Sequence, residues 1–351
     1  MANKPLAAII LAAGDGTRLR SQVPKSLHRI CGRPMIVHIL RTIEGLADAV
    51  QVVVVGFCHE RMRETLAEYN VAFTLQDKRI GTGHAVLCTQ PHFEAFEGDI
   101  LVLVGDAPLM TRRTLEKLIE RHRYQDAAAT VLTTKMKHPD GYGRVLRHPD
   151  NRVLKIVEDK DANIYEKKVN EINTGTYVFD CPALFEALHR VTPNNEQGEY
   201  YLTDVIQILV NEKRRVEAYS TRDSSETMGI NDRIQFAVAE RIMRDRILKR
   251  LMLSGVTILD PASTFIDDSV GIGIDTIIHP TTHMQGKTLI GEGCEIGPLT
   301  QIEDCEIGAG CRINSSYLRG CTLPPGMSIG PFANLQNGEV VYANAYKSNR
   351  K

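Results

Sequence analysis

A run of small and charged residues near the start of the chain has the types and spacing to hold a phosphate: Gly14, Asp15, Gly16, Thr17 and Arg18, followed by Pro24 and Lys25. A Gly-x-Gly turn lets backbone amides approach phosphate oxygens with no side chain in the way. A guanidinium matches paired phosphate oxygens and a lysine ammonium acts as a compact point charge, so Arg18 and Lys25 suit the same anion. Two familiar phosphate turns are excluded. Leu19 stands where a dinucleotide fingerprint needs a third small residue, and no Gly-Lys-Ser/Thr follows to make a Walker A loop. Asp106 comes just after the apolar run Ile100–Val104, at the carboxyl end of a predicted strand, where open α/β sheets bind ligands. A carboxylate there is seldom a packing residue. It offers oxygen to Mg²⁺, which keeps much of its water and takes one or two protein oxygens beside substrate phosphates. Gln76 carries both a hydrogen-bond donor and an acceptor on one side chain. His84 reads as a supporting residue, because no metal-ligand partner lies at useful spacing from it.

These residues need elements to position them. Ala7–Ala12, Val50–Val55 and Ile100–Val104 are β-branched or aliphatic runs suited to strands buried on both faces. Amphipathic stretches at Pro34–Leu46, Glu60–Tyr69 and Thr111–Tyr124 predict helices between and after them. Strand and helix alternating at this pace predict an α/β fold, a doubly wound and mostly parallel Rossmann-like sheet. Ser224–Ser254 predicts a helical connecting arm. Beyond it the pattern changes: Ile266, Ile272, Ile278, Met284, Ile290, Ile296 and Ile302 are spaced six apart, and after one lost residue the rhythm resumes at Ile307, Ile313, Leu323, Ile329 and Leu335. A period of six fits neither a helix nor a two-sided strand, but fits a β-solenoid. In the hexapeptide family that this stretch resembles, three such units make one turn of a left-handed parallel β-helix. A short solenoid leaves flat faces and open ends, which predicts stacking against other copies. The expected organisation is a catalytic domain over 1–228, an arm over 229–254, the β-helix over 255–335 and a polar tail over 336–351.

Bulk properties exclude several functions. The 351 residues carry 42 basic and 43 acidic side chains, a formal net charge of −1, so no polyanion such as a nucleic acid is expected as the main partner. There is no Trp and aromatics make up only 6%, which weakens any base-stacking or sugar-stacking reading. None of the eight cysteines has CxxC spacing, and buried reduced thiols are expected. The apolar run Leu6–Ala13 is too short to span a membrane and leads straight into the glycine turn, so it reads as a first strand, not a signal peptide. A cytoplasmic protein is expected.

The segment Leu11–Arg18 with Pro24-Lys25 matches LxxGxGTR…PK, the signature of sugar nucleotidyltransferases. Gln76…Gly81-Thr82-Gly83-His84-Ala85, Gly105–Leu109, Gly141-Tyr142-Gly143-Arg144, Ile156-Val157-Glu158, Glu171–Gly175, Gly198–Asp204 and Gly229–Arg233 follow in the expected order. Together with the hexapeptide repeat, residues 5–335 resemble the bacterial N-acetylglucosamine-1-phosphate uridyltransferases. That resemblance implies attack of a sugar phosphate on the α-phosphate of UTP, assisted by Mg²⁺. It implies Arg18 and Lys25 as catalytic cations, and Asp106 with Asn231 as metal ligands; Asn231 alone would read as a helix cap. It places the nucleotide on Leu11, Ala13, Gly14, Gly16, Thr17, Gln76, Gly81 and Thr82. It places N-acetylglucosamine-1-phosphate on Gly143, Glu158, Asn173 and Thr203, although Glu158 by itself would read as a surface charge paired with Lys155 or Lys160. A homotrimer through the β-helix is also implied.

Two features depart from the family. Asp15 stands where a Lys is common, and an acid beside a triphosphate is unfavourable unless it faces the metal or solvent. Further hexapeptide coils that carry acetyl-CoA-dependent acetyl transfer in the family are missing after Leu335, so no acetyltransferase activity is expected. A related pyrophosphorylase with another sugar phosphate or nucleotide, and a non-catalytic assembly subunit, remain open at this point. The second predicts lost charges at Arg18, Lys25 or Asp106, and all three are present.

Overall fold

A computed structural model describes residues 4–14, 16–56 and 59–336. Asp15, the tail beyond Gln336 and Cys58 lie outside the described residues. The chain divides into two compact units, one of residues 1–28 and 34–236, the other of residues 29–33 and 237–351.

The first unit is built on nine strands: β1 (Leu6–Leu11), β2 (Gln51–Val55), β3 (Ala72–Leu75), β4 (Asp99–Val104), β5 (Ala129–Lys135), β6 (Arg144–Arg147), β7 (Val153–Val157), β8 (Glu171–Asp180) and β9 (Val216–Ser220). Their order is β9-β5-β8-β4-β1-β2-β3, with β6 pairing both β8 and β7 off the main path. The four strands β4-β1-β2-β3 are parallel; the apolar runs predict β1, β2 and β4, whereas β3, only partly buried, was not singled out. β8 is antiparallel to both β4 and β5, so the sheet is mixed. Helices α1 (Met35–Ile43), α2 (His59–Thr65), α3 (Thr82–Leu87), α4 (Arg112–Tyr124), α5 (Cys181–Leu188) and α6 (Thr203–Asn211) intervene. Two buried clusters result. Ile9, Val54, Val102 and Phe179 with α5 and α6 form one, and Ile10, Val53, Leu103 and Val178 with α1 and α4 form the other. Adjacent residues of one strand enter different clusters because side chains alternate across the sheet.

The predicted helix from Ser224 is interrupted. A short 3₁₀ turn at Ser224–Thr227 precedes α7 (Arg233–Leu253), and the residues between them are not helical. Asp232 caps α7, its Oδ1 accepting from the amides of Ile234 and Gln235, while the Ile230 amide donates to the Asp106 carbonyl. The break therefore exists to bring Gly229–Asn231 beside the end of β4.

The second unit is a left-handed parallel β-helix of two- to four-residue strands in three stacked sheets of five, five and four strands. The residues at six-fold spacing point inward: Ile278, Met284, Ile296 and Ile302 are fully buried. Two positions before most of these aliphatic residues sits a small buried side chain, as at Thr276, Thr282, Thr288, Cys294, Thr300, Cys305, Cys311, Ser316 and Cys321. Cysteine and threonine share that slot, which explains why four cysteines fall in the repeat. The rhythm also differs from the sequence expectation after Ile302. Leu318, fully buried, stacks on Ile302, so each of the last coils is complete. Ile278 lies in register with Ile296, then Ile313, then Ile329, so the coils shorten at their corners while the ladders stay aligned. A solenoid tolerates this because each strand needs only its neighbours above and below. The Arg29–Arg33 turn belongs to this unit: the Cys31 amide donates to Glu240 of α7 and Arg33 pairs with Asp268. No helix among the described residues is long and apolar enough to cross a membrane.

Candidate active site

The first unit gathers its charged groups at the carboxyl ends of β1 and β4. The turn after β1 contains Gly16 at φ +59°, and a Cβ there would lie 2.8 Å from the Cβ of Lys25. Glycine is thus required where the phosphate turn folds against the lysine. At Gly14 an added Cβ would meet nothing within 4 Å. The backbone there opens onto free space that a ligand could approach. Thr17 and Arg18 begin a single 3₁₀ turn and face solvent.

Lys25 is largely buried, with its side chain 12% exposed. Its ammonium donates to Oδ2 of Asp106 and, at 2.8 Å, to Oδ1 of Asn231. Arg18 donates to the same Asn231 oxygen at 2.9 Å. Four predicted residues, far apart in the chain, therefore form one cluster of two cations on a carboxylate and an amide. A Cβ on Gly229 would stand 3.7 Å from Asp106 Oδ1 and 3.9 Å from Asn231 Nδ2, so this glycine leaves room between the two oxygen-bearing groups. Asn231 does not cap α7; Asp232 does.

A cleft of about 400 Å³ runs from this cluster along the sheet, lined by Leu11, Ala13, Gly14, Lys25, Gln76, Gly81, Thr82 and Asp106. Gln76 follows β3 and is buried; its Nε2 donates to the Gly81 carbonyl at 3.0 Å. Gly81 has φ +116°, and a Cβ there would lie 2.4 Å from the Tyr200 carbonyl oxygen. The Gly83 amide donates to that oxygen and the Leu202 amide donates to the Thr82 hydroxyl. Residues 80–83 are thus clamped to the segment leading into α6. The Thr82 side chain is part of that clamp, which leaves its backbone for a ligand.

The sugar-side residues sit together at a second wall. The Asn173 amide donates to the Gly143 carbonyl at 2.8 Å, and a Cβ on Gly143 would stand 3.2 Å from Glu158 Oε2. Thr203 donates to Glu158 Oε1 at 3.2 Å. The register of β8 against β5 shifts between Asn173 and Tyr177, and such bulges re-aim side chains near binding sites. Glu158 is not paired with a lysine: Lys155 bridges Glu166, and Lys160 donates to Gln197. Desolvation raises its carboxyl pKa; the Thr203 bond opposes this, and Asp161, Asp204 and Asp159 reinforce it. Desolvation, helped by Asp161, pushes the Asp204 carboxyl up to about 6. Basic groups thus mark one end of the site and weakly acidic carboxyls the other.

Two further residues were not singled out from the sequence. Glu199 lines the cleft, and Tyr142 lies close enough to Asp106 and Arg18 for both to act on its hydroxyl, whose pKa burial raises. Both stand inside motifs read from the sequence, Gly198–Asp204 and Gly141–Arg144, but neither residue type distinguishes a ligand contact from a loop position.

Comparison with known proteins follows this geometry. The description "MobA-like NTP transferase domain" matches residues 8–208. The "Bifunctional protein GlmU" of Geobacillus thermodenitrificans is 48% identical over 329 residues, covering 94% of this chain and 72% of that protein. The chain belongs to the GlmU family. Its relatives in Syntrophomonas wolfei and Streptococcus suis are 46% and 42% identical, and the chain spans 74% of the length of each. As a GlmU-family member with an NTP transferase domain, the chain is a nucleotidyltransferase.

Proposed function

We propose that the chain transfers UMP from UTP to N-acetylglucosamine-1-phosphate, forming UDP-N-acetylglucosamine and pyrophosphate. The observation that carries this reading is the Arg18–Lys25–Asp106–Asn231 cluster beside the open Gly14 backbone. Both reactants are polyanions, so their approach requires fixed positive charge at the point of contact. Arg18 and Lys25 supply it at the mouth of the cleft.

A phosphate oxygen of the sugar phosphate attacks the α-phosphorus of UTP, and the bond to the bridging oxygen of the β-phosphate breaks. Pyrophosphate leaves with that electron pair. No general base is needed, because the attacking monoester is already an anion near neutral pH. Gly14 and Gly16 let backbone amides reach the triphosphate, while Gln76 and the Gly81–Thr82 backbone meet the uracil edge. Leu11, Ala13 and Thr17 border the nucleotide. Gly143, Glu158, Asn173 and Thr203 bind the sugar through hydroxyl and amide hydrogen bonds.

Asp106 and Asn231 fit a divalent cation. They offer one carboxylate and one amide oxygen, hard donors suited to Mg²⁺, which keeps most of its water. Bound there, Mg²⁺ would neutralise charge on the reacting phosphates. A homotrimer associated through the β-helix performs the uridylyl transfer, and the exposed Leu289, Leu299 and Phe332 of that unit support such contact.

Phosphorus labelling tests the bond that breaks. With N-acetylglucosamine-1-phosphate, label from the α-phosphate of UTP should enter the sugar nucleotide and label from the γ-phosphate should leave as pyrophosphate. Appearance of the α-label in free UMP alone would overturn the proposal.

A further inference from the structure

His84 on α3 is not assigned any part in the reaction, yet its ring touches the buried amide of Gln76. The Gln76 Nε2 has two hydrogens. One is donated to the Gly81 carbonyl, with Nε2 3.0 Å from that oxygen, and the second is directed to Nδ1 of His84, 3.2 Å from Nε2. A carbonyl only accepts, so the Gly81 contact fixes which end of the amide is nitrogen. Nδ1 must then be the acceptor, which places the ring hydrogen on Nε2, with the Cys88 sulfur 3.7 Å away as its neighbour. With both hydrogens of the amide engaged, the group that Gln76 keeps for the cleft is Oε1, a pure acceptor.

We propose that His84 is a positioning residue that sets base selectivity by holding Gln76 as an acceptor. This rests on the reading of Gln76 as the uracil contact. Uracil presents N3–H, a donor that an acceptor can pair. Cytosine in the same placement presents a lone pair at N3, and an oxygen facing it is left unpaired. A site whose polar groups are left unpaired discriminates strongly. Flipping the amide would admit cytosine, but it would set Oε1 against the Gly81 carbonyl, which only accepts, and would require the imidazole proton to move from Nε2 to Nδ1. His84 supplies one of these two restraints and Gly81 the other.

The test compares kcat/KM for UTP and CTP, which share ring size and sugar, in the full chain. His84→Phe, which keeps a ring but no acceptor, is expected to lower the UTP/CTP ratio about fivefold, the worth of one hydrogen bond. His84→Asn, whose carboxamide oxygen can stand where Nδ1 stands, is expected to restore it. A fall in turnover with both nucleotides at an unchanged ratio would show a merely structural role and overturn the proposal. Failure of Asn to restore a ratio lowered by Phe would overturn it as well. Gln76→Ala separates the two levels. If Gln76→Ala leaves the ratio unchanged, the uracil-contact reading itself fails. If it collapses the ratio while His84→Phe does not, only the role of His84 fails.

Discussion

Lys25 holds one oxygen of each residue proposed to bind the metal. Its ammonium bridges Asp106 and Asn231, so a cation held by the same oxygens would displace it. Lys25→Met is expected to bind Mn²⁺ more tightly than the parent by calorimetry while losing at least about a hundredfold in turnover, the scale of one transition-state donor. Unchanged Mn²⁺ affinity would show that the bridge does not oppose the metal. Asp204 gives a pH prediction. Its carboxyl is raised from 3.8 to about 6 in the folded state, chiefly by desolvation. The folded state then holds the proton more tightly, so this group's stabilising contribution is complete below about pH 4 and is lost as the pH rises through 6. The difference in Tm between Asp204→Asn and the parent should therefore become more positive from pH 4.5 to pH 7.5; a flat difference would refute it. At this scale the sequence narrows the chemistry open to Arg18, Lys25 and Asp106, because their residue types limit it. It was uninformative for Asn231 and Glu158, whose bland readings as a cap and a surface charge were excluded only by the Gly229–Asp232 break and the buried Thr203 contact.

Elements turn those residues into a site through close backbone approach. Gly81 is the tightest case, because its positive φ and the 2.4 Å gap to the Tyr200 oxygen leave no room for a methyl group. Gly81→Ala is expected to raise KM for UTP about tenfold or more, with kcat less affected, since the shift falls on the turn proposed to bind the base. An equal loss in both would place the damage elsewhere. The parallel strands β1, β2 and β4 were legible because both faces are buried and their sequences are nearly all aliphatic. The antiparallel β8 was not, since its register shift between Asn173 and Tyr177 and its pairing with β5 depend on partners distant in sequence. In the β-helix the six-residue period was legible until the corners shortened. Leu318 fell out of the period because the deletion sits at a corner, and only the vertical stack on Ile302 reveals it. Ile302→Ala should cost about 2–5 kcal/mol in urea unfolding, as for other fully buried aliphatic residues; a cost below about 1 kcal/mol would mean that the stack is loosely packed.

At the scale of the whole molecule, a nucleotidyltransferase unit and a β-helical unit share one chain, and each was recognisable from its own periodicity. Light scattering is expected to give three times the chain mass, and a clean monomer would contradict association through the β-helix. The central claim is which bond is made between which substrates. It is tested most directly by pyrophosphate release in the presence of Mg²⁺, crossing UTP, dTTP, CTP, ATP and GTP with several sugar-1-phosphates. The account predicts fastest release for UTP with N-acetylglucosamine-1-phosphate, abolished by Asp106→Ala in a variant that remains folded. No release from that pair, or full activity in the Asp106 variant, would contradict it.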